Sequence, residues 1–183
     1  MRHKIFIFAL LVSFIAGCGY KPTSVYAKKT IGDSVFAFVE VFPSDPENSV
    51  AIKDAVNEAI VTKFHSKLAP IETAQTKMYV KISSVTLSPI QYDTNGYVVL
   101  YRMNVALSAS ITDSASGKVT NGLSGAGSYD FSVAPGSSLP EEKRFTAIQN
   151  SASKAIDMLV SQIAVRGVVA KDVNRSTNQQ GAK

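Results

Sequence analysis

The stretch from Tyr97 to Ile111 constrains this chain more than any other. Tyr97, Val99, Tyr101, Met103, Val105, Leu107, Ala109 and Ile111 occupy every second position, and Arg102, Asn104, Ser108 and Ser110 fall between them. A period of two belongs to a β-strand with one buried face, because a helix would spread these apolar side chains around its axis. A strand this long needs neighbours along its edges and a cover for its apolar side.

The rest of the sequence supplies both. Residues 34–42, Ser-Val-Phe-Ala-Phe-Val-Glu-Val-Phe, read as a strand buried on much of both faces. Met78, Val80 and Ile82 alternate with Tyr79, Lys81 and Ser83, after which the apolar parity moves to Val85 and Leu87. That shift predicts a bulge near Ser83–Ser84. A last strand spans about residues 118–133, with Val119, Leu123, Tyr129, Phe131 and Val133 in one parity. Gly122, Gly125 and Gly127 weaken it and point to a bulge or a close backbone approach. Residues 113–117 form the hairpin loop before it.

Two helices are predicted. Asp45 suits an N-cap, Pro46 the first helical position and Glu47 the positive end of the helix dipole. Ile52, Ala55, Val56, Ala59, Ile60, Phe64 and Leu68 then recur at three and four, which gives a helix over about residues 46–68, ended before Pro70. The second opens at residues 139–142, carries the stripe Phe145, Ile148, Ala152, Ala155, Ile156, Leu159 and Ile163, and meets a natural stop at Gly167. The order β-α-β-β-β-α implies an α+β fold: a four-stranded, mostly antiparallel sheet with both helices packed on one face. Val98 and Leu100 leave the other face partly apolar and available to a partner or ligand.

The N-terminus has a different character. Residues 1–4 are short and basic, and residues 5–15 are almost wholly apolar. A membrane-spanning helix needs about 20 apolar residues, so this run reads as the core of a secretory signal peptide. Ile15-Ala16-Gly17-Cys18 resembles a bacterial lipobox with Ile where Leu is usual. That likeness implies removal of residues 1–17 and acylation of Cys18, the one cysteine of the chain. Two or three acyl chains, at about 0.8 kcal/mol per buried CH₂, hold a protein on a membrane durably. The alternative is an ordinary signal peptide followed by a core cysteine. Gly19 in place of Asp favours the outer membrane by analogy with known sorting rules. The expected layout is then a lipidated tether over residues 18–33, a folded domain over 34–167 and a disordered tail over 168–183.

Chemistry is sparse. One cysteine and two histidines exclude a disulfide framework and a Cys- or His-based metal site, and no cofactor motif is present. The net charge of +5 falls to +3 once Arg2 and Lys4 leave with the signal segment, and no run of like charges suggests nucleic acid. Nucleophile-elbow, P-loop and dinucleotide fingerprints are absent. His65 reads as a solvated residue at a helix end and Glu141–Glu142 as charge complementing a helix N-terminus. A lipid-anchored hydrolase using His65 or Glu142 is therefore disfavoured, and no catalytic residue is expected. Residues 89–97 are the most unusual stretch. Tyr92, Asp93 and Asn95 form either a tight turn between strands or an aromatic and polar tip used for recognition.

Residues 18–22 (Cys-Gly-Tyr-Lys-Pro), 45–48 entering 52–56, 90–97 (Ile-Gln-Tyr-Asp-Thr-Asn-Gly-Tyr), 101–103 and 128–135 together resemble the LptE-type lipopolysaccharide-assembly lipoproteins. The likeness spans roughly residues 18–165. It implies a non-enzymatic protein lipid-anchored at the outer membrane, which plugs and helps assemble the LptD β-barrel and binds lipopolysaccharide. Under that resemblance Lys81, Arg102 and Lys118 are the cations to contact lipid A phosphates, each otherwise a solvated surface charge. The alternative is another periplasm-facing lipoprotein adaptor, such as an activator of cell-wall synthases.

Overall fold

A computed structural model describes residues 23–40 and 46–180, with the backbone only for residues 23, 24, 46–48 and 168–180. The signal segment and Cys18 lie outside the described residues. The alternating segment is β4 (Val98–Asp113), paired antiparallel with β3 (Thr76–Tyr92) on one side and β5 (Val119–Ser132) on the other. Met103, Val105, Leu107, Ala109 and Ile111 are buried, as the alternation requires.

β1 (Ser34–Glu40) lies on the far side of β3 and runs parallel to it, from Val35 opposite Thr76 to Glu40 opposite Lys81. A parallel neighbour needs a crossover, which α2 (Pro46–Thr62) supplies. A two-residue strand, β2 (Lys67–Leu68), extends the sheet beyond β1, giving the order β2-β1-β3-β4-β5. The sheet is thus mixed and five-stranded, not four-stranded and mostly antiparallel.

The expected helix over residues 46–68 stops at Thr62. His65 takes a left-handed φ of 52°, and Ser66 N–H donates to the Ile60 carbonyl (3.0 Å) as the chain turns into β2. Phe64 stays in the core, but Leu68 is exposed on the added strand. Ordering Lys67–Leu68 beside Ser34–Val35 satisfies strand-edge groups that another helical turn would leave open.

Two further departures involve the ends of the domain. Part of the expected tether is a helix, α1 (Thr23–Ile31), whose Ala27 and Ile31 are buried. The last helix, α3 (Glu141–Gln180), passes through Gly167 and continues over the backbone of the expected tail. Gly167 gives α1 room: a Cβ there would collide with Thr30 Oγ1. Glycine serves here as a contact point between helices and not as a cap.

All three helices pack on one face of the sheet around a single core. Val56 and Ile60 of α2 and Ile148, Ile156 and Ile163 of α3 meet the inner side chains of β1, β3 and β4. Each such side chain, fully buried, contributes about 1.5–3 kcal/mol. α3 approaches β5 so closely that a Cβ at Gly125 or Gly127 would strike the Ala155 or Ser151 carbonyl. This is the close approach the glycine pattern predicts. Register shifts fall where expected at Ile82/Ser84 in β3 and at Asn121–Gly122 in β5, and β3 has two more near its hairpin end, at Pro89/Gln91 and Gln91/Tyr92, which the sequence pattern does not mark.

Candidate functional site

The turn joining β3 to β4 is built by Asp93. Its Oδ1 accepts the N–H groups of Asn95 (2.9 Å) and Tyr97 (2.8 Å), and its own N–H donates to the Tyr97 carbonyl (2.8 Å). Gly96 adopts φ 82°, which an L-side chain would resist. Asp93 is therefore committed to the turn. Tyr92 and Tyr97, both more than half exposed, are the side chains this turn presents, with Asn95 also exposed between them.

The sheet face away from the helices holds two of the three expected cations. Arg102 on β4 makes a bidentate contact with Asp130 of β5, Nε and Nη2 each 2.7 Å from a carboxylate oxygen. The Arg102 hydrogen bonds hold the Asp130 carboxyl below the usual carboxylate range, and Asp130 raises the guanidinium in turn. Lys81 on β3 lies 3.7 Å from Glu40 on β1. Lys118 sits elsewhere, beyond the Asp113–Gly117 loop, beside Asp113 and Arg166. It joins none of the ion pairs found among the described residues. The three cations do not converge. Six residues separate the Lys81 partner Ser108 from Arg102 along β4, about 20 Å of strand.

The same face carries a feature that the sequence pattern does not single out. Phe38 of β1 and Tyr79 of β3 stand together, ring centroids 6.1 Å apart, and both are substantially exposed. They border a shallow trough of about 330 Å³ whose other walls include Glu40, Lys81, Ser108, Ser110 and Asn121. Tyr79 falls among the polar positions of its strand, and Phe38 in a strand that reads as buried on both faces. The parallel pairing of β1 with β3, invisible in either segment, brings them together. Val98 and Leu100, the expected apolar residues of this face, are half-buried near the hairpin end.

His65 is exposed, and Glu141 pairs with Arg144 at the start of α3. No cluster of metal-binding side chains occurs among the described residues. No described helix is long and apolar enough to cross a membrane.

Residues 37–163 match the family model LptE, described as lipopolysaccharide-assembly. No curated protein matches the chain. Among solved structures, a candidate lipoprotein from Caulobacter crescentus shares the fold at TM-score 0.50 and 8% identity, over 80% of this chain and 96% of that one. An uncharacterized lipoprotein B from Nitrosomonas europaea aligns at TM-score 0.45 and 12% identity, over 72% of this chain and 82% of that one. The rare lipoprotein B from Shewanella oneidensis gives TM-score 0.39 and 10% identity, over 80% and 99%.

Proposed function

This chain belongs to the LptE lipopolysaccharide-assembly family, and we propose that it is a non-enzymatic outer-membrane lipoprotein that plugs and helps assemble an LptD-type β-barrel. In this reading acyl chains on Cys18 hold it to the inner leaflet, and it binds lipopolysaccharide for delivery to the outer one. The observation that carries the reading is the family match, which takes in the second half of β1, all of β2 to β5 and α2, and α3 up to Ile163.

Geometry supports it. α1 ends at Ile31, whose carbonyl accepts the Thr76 hydroxyl (2.6 Å) at the start of β3. The Tyr92–Tyr97 turn lies at the opposite end of that strand, and β4 alone spans 16 residues, about 50 Å. α1 is nine residues long, so Thr23 is only about 12 Å from Ile31. A chain tethered through its N-terminus therefore carries the aromatic turn away from its anchor. The open sheet face, polar and internally charge-paired, suits the polar lumen of a barrel. Lys118 is the cation of the three best placed to meet a lipid A phosphate, since Arg102 and Lys81 already have carboxylate partners.

Mild detergent extraction of native membranes tests the reading. The chain is expected to co-purify with a large β-barrel. Recovery as a lone species, or crosslinking to a cell-wall synthase in place of a barrel, would overturn it.

A further inference from the structure

The trough bordered by Phe38 and Tyr79 has a chemistry distinct from that of a phosphate site. Its two ionic groups, Glu40 and Lys81, face each other at 3.7 Å, so it presents no unpaired charge. A phosphate or carboxylate ligand would have to compete with Glu40 for its only cation. A wholly apolar ligand would bury the Ser110 hydroxyl against carbon, whereas the Ser108 hydroxyl already accepts from Ser83 (3.4 Å). What remains is a neutral ligand that both donates and accepts hydrogen bonds and also has an apolar face.

A pyranose ring meets that description. Its axial C–H groups form an apolar patch that can lie on an aromatic ring, and its hydroxyls ring that patch. Phe38 and Tyr79 offer ring surface at 49% and 40% exposure, tilted 53° to each other. Ser108 and Ser110 project from β4 on the same side, and Asn121 lines the far wall from the β5 bulge. Arg166 donates to the Asn121 and Gly122 carbonyls, which fixes that bulge. The trough rests on paired strands, so little ordering is needed on binding.

We propose that this trough is a saccharide subsite taking uncharged sugar rings from the core glycan of lipopolysaccharide. The inference rests on the function proposed above for the source of the glycan, but the trough's preference for a neutral sugar follows from its own lining.

The test uses the full chain in mild detergent, observed by amide NMR, and core oligosaccharide stripped of lipid A and of phosphate. Saturable shifts are expected at Tyr79, Lys81, Ser108 and Asn121. Tyr79→Thr and Phe38→Thr should each weaken binding about tenfold, the scale of a lost aromatic contact. The spectrum of each variant reports its own folding, and Asn121→Ser provides a third, milder lesion. The proposal fails if the dephosphorylated glycan gives no saturable shifts, or if the folded variants bind as tightly as the parent. It fails equally if a peptidoglycan disaccharide alone produces the shifts. Barrel co-purification by the parent chain separates the two ideas: a parent that retains the barrel but gives no saturable sugar shifts removes this inference and leaves the family function standing.

Discussion

Asp130 and Arg102 illustrate how a residue that looks free in sequence is engaged in the fold. Their bidentate pair bridges β4 and β5 in directly opposed positions. Asp113 is also held below the ordinary carboxylate range, chiefly by the Ser116 hydroxyl and then by the Ala115 N–H. A depressed folded value means that the fold prefers the ionised carboxylate. The contribution is then complete above the unfolded value, about 3.9, and disappears as pH falls through the lower folded values. Urea midpoints should therefore be flat between about pH 7 and 5 and decline below about pH 4. Asp130→Asn should flatten part of that decline, and an unchanged acid limb would contradict the assignment. Lys118→Gln is expected to weaken lipid A capture while leaving the urea midpoint unchanged, because Lys118 makes no ion pair among the described residues.

At the scale of elements, the contact between α3 and β5 organises half of the molecule. β5 is an edge strand, and unpaired edges invite pairing with other chains. α3 side chains occupy this one. Lys143 donates to the Ser132 carbonyl, Lys154 to Ser128, and Gln162 both donates to and accepts from Ser124. Met158 Sδ accepts the Ala126 N–H (3.4 Å). Gln162→Ala combined with Lys154→Ala should therefore raise aggregation on heating, read by light scattering, more than it lowers the unfolding midpoint. Gly125→Ala and Gly127→Ala push a methyl group into helix backbone and should each cost about 2–3 kcal/mol in chemical denaturation. Period and parity made most of these elements legible: β4, the bulges at Ser83 and Asn121–Gly122, and the buried stripe of α3 are where the pattern puts them, whereas the irregularities at Pro89–Tyr92 carry no parity signal. Phe145 is the exception in that stripe. It is 40% exposed, two residues before the buried stripe begins at Ala147 and Ile148. α1 was not legible, since Ala27 and Ile31 are too few apolar positions to mark a helix, and packing against α3 decides it.

At the scale of the whole molecule, the proposed function needs an acyl anchor at Cys18. Cys18→Ala should abolish labelling with a clickable fatty acid; undiminished labelling would remove the lipid anchor from the account. The sequence by itself determined the α+β class, the inward face of the long strands, the glycine track beneath α3 and the resemblance to the LptE family. These depend on side-chain periodicity and local backbone chemistry, which are properties of contiguous residues. Only the tertiary structure decided the parallel placement of β1 beside β3, the engagement of Arg102 and Lys81 by carboxylates, and the meeting of Phe38 with Tyr79. Each of those joins residues from separate strands. Strand order is set by how three helices share one sheet face, and no single segment carries that information.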